Sequence, residues 1–73
     1  MVHINVIDDN PIVLDCFVDK DTKYFRLVID PETQEILEKP DGYSMDVSIA
    51  YSRIFGFLMR EEPLPGRLSA EWG

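Results

Sequence analysis

Between Glu38 and Ser44 the hydrophobic pattern of the chain changes period, and this change constrains the fold more than any other feature of the sequence. Before it, apolar residues recur every second position, as on a half-buried strand. In "VHINVID" the residues Val2, Ile4 and Val6 share one face, with His3, Asn5 and Ile7 on the other. In "IVLDCFV" the residues Ile12, Leu14, Cys16 and Val18 alternate with Val13, Asp15 and Phe17. "KYFRLVID" divides in the same way into Tyr24, Arg26, Val28 and Phe25, Leu27, Ile29. The intervening "DDNP" and "DKDT" are turn signals, because Asp and Asn accept local hydrogen bonds and Pro presets φ. "IDPETQEIL" reads as a further hairpin opened by Asp30 and Pro31, with Gln34 at the left-handed position that glycine occupies most easily.

After the break at "EKPDGY", apolar residues recur at helical spacing through "SMDVSIAYSRIFGFLMREE", Ser44 to Glu62. Ser44 is placed to cap this helix and Asp46 to complement its dipole. Pro63 cannot continue it. "PLPG" follows as a loop, and "RLSAEWG" as a tail whose large apolar groups are Leu68 and Trp72. The expected fold is therefore α+β: an antiparallel β-meander of three or four strands, one C-terminal helix packed on one sheet face, then a short extended tail. One domain is expected over 1–73, with the meander at about 2–40, the helix at 44–62, and the loop and tail at 63–73.

The helix is apolar over more of its circumference than one sheet needs. Val47, Ala50, Tyr51, Ile54, Phe57 and Leu58 form the stripe assigned to the sheet. On that assignment Phe57→Ala should cost on the order of 3–5 kcal/mol. A second surface remains, on which Ser48, Ser52 and Gly56 recur every four residues, flanked by Met45, Ile49, Phe55 and Met59. Gly56 carries a cost of roughly 1 kcal/mol relative to alanine in a helix interior. This surface asks for cover, either from the tail of the same chain or from another molecule. Arg53 and Arg60, seven residues apart, are expected to solvate the outer side of the helix.

Size sharpens the question of cover. A 73-residue chain buries only roughly 60% of the surface its unfolded form exposes, and small scaffolds commonly add disulfides, a metal or a partner. Cys16 is the one cysteine and His3 the one histidine, so no internal disulfide can form and a Cys/His zinc site lacks ligands. Self-association is left as the supplement, and a symmetric dimer is its commonest form.

Little in the sequence points to catalysis. Cys16 and His3 both fall on strands, and the bland reading of a buried Cys and an edge His outweighs that of an activated thiol. The acid pairs Asp8/Asp9, Asp19/Asp21 and Glu61/Glu62 read as turn acids. "DKDTK" begins like a calcium loop, but Tyr24 and Asp30 stand where the loop glycine and the distal glutamate belong. The four glycines are isolated, so no phosphate-cradling loop occurs. No catalytic, cofactor-binding or metal-binding residues, and no cofactor, are assigned.

Fourteen acidic residues against seven basic ones leave a net charge of −7. Such a chain repels phosphate backbones, which speaks against nucleic acid as a partner. No apolar run approaches the length of a membrane span. The N-terminus lacks a basic region followed by an apolar one, and the cysteine is unpaired, so a cytoplasmic location without a membrane partner is expected. The function expected is that of a small acidic non-enzymatic interaction or regulatory module, acting as a homodimer or bound to another protein. Its expected interface comprises Ser48, Ile49, Ser52, Phe55, Gly56, Met59, Leu68 and Trp72. The alternative is an antitoxin-like or nucleic-acid-mimicking inhibitor that uses an acidic strand face.

Overall fold

A computed structural model describes residues 2–18, 24–42 and 44–70. The turn expected at 19–22, the capping role of the Ser44 side chain and the position of Trp72 lie outside the described residues. Five strands and one helix follow in order: β1 (Val2–Asp9), β2 (Ile12–Val18), β3 (Tyr24–Ile29), β4 (Ile36–Glu38), α1 (Ser44–Met59) and β5 (Arg67–Ala70). All five strands form one antiparallel sheet in the order β4-β3-β2-β1-β5, with α1 against one face. The α+β class and the meander followed by a packed helix are as expected from the pattern.

Alternation does the work of the fold. The register pairs Cys16 with Ile4 and Phe25, and Leu14 with Val6 and Leu27, so one face of three strands is continuously apolar. Val2, Ile4, Ile12, Leu14, Cys16, Phe25, Leu27 and Ile29 are buried there, and from the helix Val47, Ala50 and Ile54 close the core. The opposite face stays open, as antiparallel sheets permit. On it Asp15 accepts hydrogen bonds from Arg26 (Nε–Oδ1 2.9 Å) and Phe17 packs beside Tyr24, ring centroids 5.7 Å apart.

The β3–β4 hairpin has the chemistry expected of it. Gln34 sits at φ 66°, and the turn closes through Gln34 N–H to the Asp30 carbonyl (2.8 Å) and Asp30 N–H to the Glu35 carbonyl (2.9 Å). The Asp30 carboxylate accepts from the N–H groups of Glu32 and Thr33, and these bonds hold its pKa below the ordinary value. The same hairpin anchors the helix, because the Tyr51 hydroxyl donates to the Gln34 carbonyl at 2.7 Å.

Two boundaries differ from expectation. The helix stops at Met59, three residues before Glu62. Glu62 N–H reaches back to the Phe57 carbonyl and Glu61 N–H to the Leu58 carbonyl, with Glu61 at φ 54°. These are the paired bonds of a Schellman ending, in which one left-handed residue turns the chain before Pro63 can act. The tail is also more than an extended segment: Arg67–Ala70 is a fifth strand paired with β1 in the register Asn5↔Arg67 to Val2↔Ala70. Four residues are too few for alternation to announce a strand, and the β1 edge supplies the partner.

Phe57 is half-buried rather than central in the core, and it lies between two guanidinium groups, with Arg53 Cζ 5.5 Å and Arg60 Cζ 5.2 Å from its ring centroid. The arginines expected merely to solvate the helix thus cover an aromatic ring. The cost of Phe57→Ala falls accordingly below that of a core residue.

Candidate interaction surface

The helix surface left over by the sheet divides into two flanks. On one, Ile49 and Arg53 lean toward β5. Together with Ser48, Ser52, Ser69 and Ala70 they line an open groove of about 490 Å³ between α1 and the outer edge of β5. On the other flank Phe55 stacks on Tyr51, ring centroids 5.8 Å apart and planes 25° from parallel, and Tyr51 is held by the β3–β4 hairpin. The crest between them carries Met45 and Met59, 67% and 63% exposed.

The described members of the expected interface are therefore not one patch. Ser48 and Ser52 are exposed and Ile49 is half-buried, and all three border the β5 groove. Leu68, on β5, is half-buried against the core from the same side of the sheet. Phe55 belongs to the opposite flank. Met59 stands exposed at the last turn of the helix, and Gly56 lies under the side chain of Arg60. A Cβ built on Gly56 would approach Arg60 Nη1 at 3.3 Å and meet no other part of the protein closely. The close approach at Gly56 within one chain is thus to a flexible side chain of its own helix. Gly56→Ala is expected to raise the stability of the chain by about 0.5–1 kcal/mol, because the guanidinium can move and helix propensity improves. Urea unfolding checks this, and a destabilised variant would show that the backbone at Gly56 is packed against another surface.

Sequence reasoning missed the β5 edge. Its one available signal was the position of Leu68 and Ala70 on the same side of a short extended stretch after "PLPG". The opposite sheet edge is built differently. β4 has three residues, all exposed, and its pairing with β3 is broken by a register shift. Lys39 and Pro40 follow it directly. Short length, irregular pairing, charge and proline are the devices by which edges avoid further pairing. β5 is also short, with four residues, and carries Arg67, but within it there is no proline and no register shift.

Asp15 on the open sheet face is paired with Arg26, whereas Asp8, Asp9, Asp30, Glu32 and Glu35 lie in or beside the two turns that the Ile12↔Ile29 pairing brings to one end of the sheet. Among the described residues, no group of three or more His, Cys, Asp or Glu is placed to hold a metal ion, and no helix is long and apolar enough to cross a membrane.

Cys16 is fully buried in the central strand. Burial first, and the Asp15 carboxylate second, push its thiol up to about 12. The folded state therefore holds the proton that the unfolded thiol releases near pH 8.5–9, so stability falls as pH rises from there toward 12. Two results are expected: a urea midpoint that drops over this alkaline range, and negligible alkylation at pH 7 until the chain unfolds. Rapid alkylation of native protein would contradict the burial of this thiol.

Comparison with known protein families, curated proteins and solved structures finds no match.

Proposed function

We propose that the protein is a non-enzymatic interaction module that works as a homodimer through the side of the molecule formed by α1 and β5. One observation carries this reading: the groove-lining residues Ser48, Ile49 and Ser52 meet the regularly paired β5 edge of the sheet along the same side. A small sheet covered by a single helix gains burial by sharing that side, and a second copy is the partner always present at matching concentration.

A stable interface buries roughly 800 Å² per partner, which calls for the α1 groove to be covered together with the β5 edge. Sedimentation equilibrium of the full chain tests the proposal. A dimer at tens of micromolar is expected, and a monomer throughout that range would overturn the reading. The alternative of an acidic inhibitor uses a different surface, the turn end with Asp8, Asp9, Asp30, Glu32 and Glu35. A partner captured there is released by 0.5 M salt, whereas one held on the apolar groove is retained, because screening acts on exposed charge.

A further inference from the structure

The hydrogen bond from Val6 N–H to the Gly66 carbonyl (2.9 Å) sets the phase of the ladder between β1 and β5. Opposed residues in an antiparallel ladder alternate between bonded and non-bonded pairs. Val6 and Gly66 continue the register Asn5↔Arg67, Ile4↔Leu68, His3↔Ser69 and Val2↔Ala70. Leu68 and Ala70 therefore point their backbone groups at β1. Arg67 and Ser69 turn theirs outward, where no described strand meets them. These outward groups form a short template for pairing, on an edge that lacks the proline and the irregular pairing seen at β4.

Resting on the homodimer reading above, we infer that two copies join through β5, pairing antiparallel about a two-fold axis at Leu68, to make one continuous ten-stranded sheet. An antiparallel strand is complementary to itself under a two-fold rotation, which makes a second copy the natural occupant of such an edge. The phase also selects a register. With Leu68 opposite Leu68 of the second copy, Arg67 faces Ser69 twice, and each of these pairs exchanges two N–H···O=C bonds between groups that already point outward. The two Leu68 residues form the non-bonded pair, where side chains approach most closely. They meet on the sheet face that carries α1, in continuity with the core. Like charges do not oppose one another, since neither Arg67 faces its own counterpart. The exposed serines Ser48 and Ser52 leave room above the seam for a second helix layer.

Ser69→Pro tests the inference directly. It removes an outward N–H while leaving the bonds of Leu68 and Ala70 to β1 intact, and proline is tolerated at a solvent-facing edge position. The variant should keep the far-UV spectrum of the parent and raise the dimer dissociation constant at least about tenfold, as the loss of two backbone hydrogen bonds, one from each copy, implies. Leu68→Cys supplies the second arm. Opposed Cα atoms about 4.5 Å apart lie within disulfide range, so mild oxidation should give a covalent dimer. Ser69→Cys, offset from the two-fold, should cross-link far less.

If Ser69→Pro fails to fold, amide exchange of the parent serves instead, with Arg67 and Ser69 expected to slow as dimer forms. A parent that is monomeric overturns the homodimer reading and this inference together. A dimer that survives Ser69→Pro, or one in which the Arg67 and Ser69 amides still exchange fast, overturns the β5 pairing while leaving the homodimer standing.

Discussion

Leu14→Ala is expected to lower the melting temperature by at least about 8 °C, and at 37 °C to leave a substantial unfolded fraction. Leu14 lies in β2, the central strand of the sheet, and is completely buried. It faces Val6 on one side and Leu27 on the other. Removing it deletes apolar contacts and leaves a cavity that paired strands on both sides prevent from collapsing. Leu→Ala changes at such sites cost about 2–5 kcal/mol. A chain of this length has a total stability of roughly 4–11 kcal/mol at typical values per residue, so a single substitution removes a large share of it. Each kcal/mol moves the midpoint of a domain this small by about 4–8 °C. Thermal unfolding followed by circular dichroism measures the effect, and a shift under about 3 °C would contradict the central place of Leu14 in the core.

Ile54→Ala is expected to cost about 2–5 kcal/mol, and Phe57→Ala distinctly less. Ile54 is the one large side chain of α1 that is completely buried. Val47 and Ala50 flank it, but Ala50 contributes little apolar area, so Ile54 anchors the helix to the sheet. Phe57 is larger, and on size alone it would rank first. Its ring instead lies half-exposed between Arg53 and Arg60, where truncation removes two cation–π contacts and partial burial without opening a cavity in the core. Paired urea titrations of the two variants decide the order. A larger loss for Phe57→Ala would mean that the helix is rolled toward its Phe57 flank.

The two substitutions also show which parts of the fold were legible in advance. Leu14 stood out because period-two alternation assigns each strand residue to a face, and a register slip of one residue would expose every apolar side chain. Gln34 was legible for a different reason: a hairpin opened by Asp-Pro requires a left-handed residue at one definite place, and φ at Gln34 is 66°. The helical stripe was right in direction but could not rank its members. At 100° per residue, Ile54 and Phe57 lie only 60° apart, and which of them reaches the core depends on how the helix sits on a twisted sheet. The end of the helix was misplaced because proline was read as the stop, whereas Glu61 turns left-handed two residues earlier and satisfies the last carbonyls through Glu61 and Glu62.

The interaction surface was legible only in part. Ser48, Ile49 and Ser52 were marked by helical spacing, and they do share a groove. Phe55, marked by the same reasoning, is drawn to the other flank by Tyr51, whose hydroxyl bonds a carbonyl seventeen residues away. Gly56 suggested a close neighbour, and within the chain that neighbour is the Arg60 side chain. Long-range partners of this kind leave no periodic trace.

By itself, then, the sequence determined the class of fold, the inward faces of β1, β2 and β3, the hairpin at Asp30–Gln34 and the existence of α1, because each follows from the local period of hydrophobic residues or from the φ that a turn demands. Only the tertiary structure decided that Arg67–Ala70 becomes a strand, that it takes the place beside β1, and that its outward groups are those of Arg67 and Ser69. The reason is that a four-residue segment carries too little local free energy to choose a conformation, so the unpaired edge of β1, more than sixty residues away in sequence, chooses it.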